Sequence, residues 1–160
     1  MVGIYQMSSA MAKPNIWIID TTIFLNILDI PGSNSDRATV LSEFKERIKA
    51  EDLFFLPFIV LVETGNPIAK LSGNLKYEKA KDFVDQVKSA LNGVSPFTAL
   101  KFPDKEELFQ WIDDFPAKSS QGIGFGDYSI IRDWQEQCVL FPGWSVRIWS
   151  LDEGLQGYES

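Results

Sequence analysis

Short, almost wholly apolar runs alternate along the chain with longer stretches in which apolar residues return every three or four positions. Asn15-Ile16-Trp17-Ile18-Ile19 is the first such run, Leu53 to Leu56 the second and Val146 to Trp149 the last, with Ser95 to Thr98 between them reading as a further short strand. Runs this short, without polar alternation, predict strands covered on both faces, as in a parallel sheet. The longer stretches predict helices. One spans about Thr21 to Leu28 and closes at the turn Asp29-Ile30-Pro31-Gly32; a second spans Ser35 to Ala50, with Val40, Leu41, Phe44 and Ile48 at helical spacing. Phe58 to Leu71 reads as a helix in which Pro67 imposes a kink or break. Tyr77 to Leu91 puts Ala80, Phe83, Val84, Val87 and Leu91 on one face. Asp104 caps a helix through Asp113 with Leu108, Phe109 and Ile112 inward, and a Ser/Gly-rich loop starts at Lys118. A last helix covers Asp127 to Gln137, and Asp152 begins a terminal turn. Strands alternating with helices in this order predict an α/β fold with a central parallel sheet.

At 160 residues, 45% of them apolar and 13% aromatic, the chain can bury a core of its own. We expect one domain over residues 14–160 and a flexible N-terminal extension over 1–13, within which Met7 and Met11 are alternative starts. No stretch reaches the roughly 18 apolar residues of a membrane helix, and the N-terminus lacks the pattern of a signal peptide. A lone Cys138 offers neither a disulfide nor a thiolate zinc cluster, so the expected location is the cytoplasm. The chain has no histidine, which removes imidazole-based triads, proton shuttles and most zinc sites. Acid–base or metal chemistry must run on carboxylates. The net charge of −7 argues against broad nonspecific binding to nucleic acid.

Four acids stand out by position. Asp20 ends the first predicted strand, and Asp152 follows the fourth by two residues, at the same edge of the sheet. Open α/β sheets build their sites beyond the carboxyl ends of strands, where the strand order reverses. Glu63 interrupts the apolar run Phe58-Ile59-Val60-Leu61-Val62, where an uncompensated carboxylate is costly. Asp127 follows Gly122-Ile123-Gly124-Phe125-Gly126 at a helix start, where the dipole favours negative charge. Taken singly, Asp127 reads as a helix cap, Asp152 as a turn residue and Asp20 as either cap or site. Only Glu63 favours function alone, and with 22 acidic residues in the chain the argument rests on the set.

In this order the four positions resemble the PIN-domain family. Ile18-Ile19-Asp20-Thr21-Thr22 is similar to the family's opening motif, Leu61-Val62-Glu63-Thr64 to its second, Gly126-Asp127-Tyr128-Ser129-Ile130-Ile131 to its third and Trp149-Ser150-Leu151-Asp152 to its last. The resemblance spans Asn15 to about Gly157, with a longer loop within Lys101 to Gly126 than compact toxins of the family carry. It implies a three-layer α/β/α fold, Mg²⁺- or Mn²⁺-dependent cleavage of RNA, and the toxin role in a toxin–antitoxin pair. The partners it implies are an RNA substrate, an antitoxin protein and a dimer mate, with no membrane.

Carboxylates suit a hard cation such as Mg²⁺, which takes oxygen ligands and keeps several waters. Asp20, Glu63 and Asp127 are the expected core ligands, with Asp152 a fourth acid in the outer shell or on a second ion. Thr22 and Ser150 are candidates for orienting carboxylates or water. Asp133, six positions after Asp127, is expected well away on the helix surface, and Asp113 and Asp114 at a solvated helix end. Trp111, Trp134, Trp144 and Trp149 read as core before base-stacking platforms; Lys118, Arg132 and Arg147 are weaker candidates for phosphate contact. A phosphatase with an Asp-x-Asp nucleophile is disfavoured because Thr21-Thr22 follows Asp20. The alternative of another class is a non-catalytic PIN-like scaffold that binds protein or RNA.

Overall fold

The computed structural model describes residues 14–160; the extension expected at 1–13 lies outside the described residues. All four predicted strands are present, as β1 (Asn15–Ile19), β2 (Leu53–Leu56), β3 (Phe97–Ala99) and β4 (Ser145–Trp149). They form one all-parallel sheet in the order β3-β2-β1-β4. Among the described residues six α-helices flank it: α1 (Thr21–Ile27), α2 (Arg37–Lys49), α3 (Phe58–Ala69), α4 (Gly73–Leu91), α5 (Lys105–Ser120) and α6 (Phe125–Leu140). A 3₁₀ turn, Glu153–Leu155, follows β4. This is the three-layer α/β/α arrangement of a PIN-like fold.

The unbroken apolar strands are explained by burial on both faces: Ile16, Ile18 and Ile19 on β1 are fully buried, and Phe54 and Leu56 on β2 nearly so. Across the sheet, Phe44 of α2 stacks on Phe97 with ring centroids 5.4 Å apart and meets Phe54 edge-on at 4.9 Å. Phe24 of α1 meets Phe97 edge-on at 5.8 Å. Such aromatic pairs add to the area they bury and fix how α1 and α2 sit on the strands.

Several element boundaries differ from the expectation. The helix expected to stop at Asp113 continues to Ser120, so the loop expected from Lys118 shrinks to Gln121–Gly124, and most of the segment 101–126 is helix. Pro116 is tolerated inside α5, as Pro67 is inside α3, which ends two residues after it. Each lacks only one donor to the preceding turn, a loss that neither helix is broken by. The inner face of α5 is also not the expected one: Phe109 and Ile112 are more than half exposed, while Trp111 is buried. One indole buries more area than either side chain it displaces, and that sets the helix rotation. On α4, Leu91 and Val84 are likewise exposed, and Ala90 turns inward. α4 begins at Gly73, and β3 begins two residues and ends one residue later than expected.

Candidate active site at the carboxyl edge of the sheet

The neighbours of β1 are β2 on one side and β4 on the other, so the chain reverses its direction of travel across the sheet at the β1–β4 pair. Beyond that pair the crevice of an open α/β sheet forms. The register Ile19↔Trp149 carries straight on: the Asp20 amide donates to the Trp149 carbonyl at 3.1 Å, and the Ser150 hydroxyl donates to Asp20 Oδ2 at 2.6 Å. Asp20 and Ser150, 130 residues apart in sequence, are thus placed side by side by strand pairing.

Asp20 has two tasks. It is the N-cap of α1, accepting the Ile23 amide at 3.3 Å, and it accepts the Thr22 hydroxyl at 2.6 Å on the same oxygen. The Thr22 oxygen in turn accepts the Leu151 amide at 3.0 Å, and the Ser150 oxygen accepts the Asp152 amide at 2.9 Å. These bonds tie the β1–α1 corner to the β4 exit and lock the Asp20 carboxylate in one orientation. Asp20 is only 3% exposed; burial raises its pKa, and the bonds from Ser150, Thr22 and Ile23 work against that rise.

Glu63 lies one and a half turns into α3 and accepts the Thr21 hydroxyl on Oε1 at 2.8 Å. Its other oxygen faces α6 at Gly126, where a Cβ would lie 2.8 Å from Oε2. Any larger residue at that position would push the carboxylate aside. Asp127 is the third residue of α6 and caps nothing: the N-cap is Gly124, with no side-chain cap bond. The reading of Asp127 as a helix cap is therefore set aside. Asp152 is exposed and does cap, accepting the Gly154 amide at 3.0 Å at the start of the 3₁₀ turn.

The electrostatics join the four. Asp127 has its pKa raised to about 6, first by burial and then by the negative charges of Asp152, Glu63 and Asp20, with Asp152 also in hydrogen-bonding reach. None of the four forms an ion pair with Lys or Arg among the described residues. As the side chains stand, no three acids among the described residues are close enough together to clasp a metal directly. By donor type and by uncompensated charge the group fits a hard divalent cation that keeps waters between itself and some ligands.

The fold has a solved counterpart. A chain in the crystal structure of VapBC2 from Rickettsia felis, bound to a DNA fragment from their promoter, superposes with a TM-score of 0.53. The match covers 84% of this chain and 99% of that one, at 16% identity, and shows a shared fold. The chain matches no family model and no curated protein sequence.

Two participants escaped the sequence reading. Thr21, which orients Glu63, and Gly126, which gives it room, carry no signal until α3 and α6 are packed together. Asp133 is corrected outright: it is buried, at 8% exposure, where the sequence placed it on the helix surface. Helical spacing separates it from Asp127 but says nothing of α5, which covers its side of α6. The weaker candidates fall mostly to structural roles. Trp111 and Trp149 are buried, and Trp134 donates to the Val146 carbonyl at 2.9 Å. Arg132 pairs with Asp114 at 3.9 Å and Arg147 with Glu159 at 3.4 Å, while Lys118 sits 6.0 Å over the Tyr128 ring.

Proposed function

We propose that this protein is a divalent-metal-dependent endoribonuclease, a VapC-like toxin whose activity an antitoxin restrains. The observation that carries the reading is the carboxylate set without a counter-cation: at a sheet switch point burial, joined by the like charges of Asp152, Glu63 and Asp20, drives Asp127 up to about 6. Bringing four acids to one edge without Lys or Arg is unfavourable for the empty protein and becomes favourable when a cation shares the pocket. Asp20, Glu63 and Asp127 hold Mg²⁺ or Mn²⁺, in part through water, and Asp152 supports them from the rim. Held by these carboxylates, such an ion would supply positive charge to the phosphodiester and would lower the pKa of an attacking water. Thr22 and Ser150 hold Asp20 in orientation, and Thr21 does the same for Glu63. The bound cation also reverses the local sign, which lets a protein of net charge −7 receive a phosphate. An antitoxin partner is supported by the VapBC2 neighbour, itself a toxin–antitoxin complex.

The test is cleavage of a mixed single-stranded and structured RNA pool with Mg²⁺, with Mn²⁺ and with chelator. Asp20→Asn and Asp127→Asn are each expected to lower the rate by about 1,000-fold, some 4 kcal/mol of barrier. Cleavage that persists unchanged in both variants would sink the assignment. A second reading, a non-catalytic scaffold, is favoured by the absence of a direct three-carboxylate clasp among the described residues. Calorimetry separates the two, because a scaffold has no need to bind Mg²⁺ or Mn²⁺.

A further inference from the structure

Beside the carboxylates, between the start of α3, the segment before α5 and one face of α6, lies a cavity of ≈ 270 Å³. That is close to the roughly 300 Å³ at which small-molecule sites begin. Phe58, Phe102, Phe125 and Trp111 wall it, and Phe58 and Phe102 meet edge-on at 5.0 Å while staying 44% and 55% exposed. Phe125, Ser129 and Asp133 follow one another at four-residue spacing on α6, so all three line the same side.

Asp133 is the polar group in this cavity that needs explaining. It is 8% exposed, and among the described residues it has no hydrogen-bond or ion-pair partner. Its carboxyl oxygens are not sealed from solvent but open on the cavity they line, where a ligand with matching polar groups would complete them. Burial, with Glu136 of α6 and Glu107 of α5 as like-charged neighbours, raises its pKa to about 7, so it is no strong anion waiting for a counter-ion. Lys101 at the mouth is engaged with Glu107 at 3.9 Å, and Arg132 with Asp114.

We propose that this cavity is the base-binding subsite of the RNA substrate and takes an unpaired purine. The inference rests on the nuclease reading for its substrate class. Unstacked bases are held in single-stranded RNA by aromatic side chains and by hydrogen bonds to their edges, and the cavity supplies both. A protonated carboxyl presents a donor beside an acceptor, which matches the N1 and amino group of adenine. An ionised one presents two acceptors, which match the N1–H and amino group of guanine. The ionised carboxylate is repelled by the two carbonyls that flank the single N–H of uracil; cytosine presents the same acceptor–donor edge as adenine, and either pyrimidine loses to a purine through the smaller area its single ring stacks. The cavity also lies where an adjoining nucleotide must go. Ile59, in its wall, is one helical turn of about 5.4 Å before Glu63, and Phe125 adjoins the Gly126 that faces Glu63.

The test is titration of the full chain with AMP, GMP, CMP and UMP in EDTA, followed through the Trp111 indole NMR signal, which Trp111→Phe identifies. AMP and GMP should bind about tenfold more tightly than UMP. Phe102→Ala, on an exposed side chain, and Asp133→Leu, which removes a buried acid, should each erase that preference without unfolding the protein. Asp133→Asn keeps one donor and one acceptor, so it should retain AMP and lose GMP. Equal affinity for all four nucleotides, or a purine preference that survives Asp133→Leu, overturns the inference. Tighter binding of acetyl-arginine amide than of AMP also overturns it, and makes the cavity a contact for a cationic side chain of a protein partner. Because no metal is present, a failed cleavage assay would count against the nuclease reading alone and leave this result legible.

Discussion

On the side of the sheet that α2 covers, an acid is held by groups that complement it. Asp52, just before β2, accepts the Asn15 amide at 3.0 Å and the Trp17 indole N–H at 2.8 Å. The Arg47 guanidinium sits 3.6 Å and 4.2 Å from the ring centres of Trp17 and Trp149 and pairs with Glu43 at 3.6 Å. Burial lowers the pKa of Arg47, while Glu43 and Asp52 oppose that shift. At the carboxyl edge the neighbours of the acids are other acids. Asp20, Glu63 and Asp152 are oriented by hydroxyls and amides, and none of the four, Asp127 included, pairs with a cation among the described residues. Asp52 thus meets its donors within the chain, whereas the acids at the carboxyl edge carry no counter-charge, which is what the proposed metal site requires.

The largest effect on stability should come from the acid with no complement at all. Asp133 has a folded pKa of about 7 against the ordinary 3.8, so the folded state holds its proton more tightly than the unfolded one. The cost of ionising it in the fold is absent near pH 4, grows as pH rises and is complete above about 7. Asp133→Leu should therefore stabilise by on the order of 2–4 kcal/mol at pH 8 and by far less at pH 4.5, read by urea denaturation at both. An unchanged difference across that range would show that the carboxyl has a partner.

Metal should act next. Mg²⁺ at about 100 times its Kd should stabilise the protein by ~2.7 kcal/mol, raising the melting temperature. Asp127→Asn should abolish that shift. A shift that survives would place the ion elsewhere and dissolve the contrast between the two regions.

Loss of an orienting hydroxyl should cost less than loss of a ligand. Ser150→Ala removes the 2.6 Å bond to Asp20 and should weaken metal affinity or cleavage by about 10–100-fold, checked by calorimetry and rate on the same preparation. The smallest effect sharpens the comparison from its other side. Arg47→Met should keep the packing on both tryptophans, lose the cation–π contribution of about 1–2 kcal/mol, and leave the Mg²⁺-induced shift intact. A variant that lost metal binding as well would show that the two regions are coupled.

How much could be read without coordinates differs by element. β1 and β2 were legible because nearly unbroken apolar runs between polar flanks admit few structures other than buried strands. β1 was placed to the residue, and β2 as well. Asp20 and Asp152 were legible as strand-end acids because a parallel sheet brings every strand's carboxyl end to the same edge. The inner face of α5 was not, because Phe109, Trp111 and Ile112 offer competing faces and only packing chooses Trp111. Nor was the length of α5, since Pro116 looks like a stop until the turns on either side are present.

The sequence by itself determined which ionisable groups a site can draw on: it has no histidine, one cysteine, and acids set at the ends of apolar runs. It also determined the order of strands and helices, because period and composition are local properties. Only the tertiary structure decided which groups meet. Ser150 reaches Asp20 across 130 residues, Glu63 reaches Gly126 between two packed helices, and Asp133 lines a cavity walled by aromatic residues of other segments. Such pairings depend on crossing angle, register and volume, which are properties of packed elements taken together and have no counterpart in the pattern of any one of them.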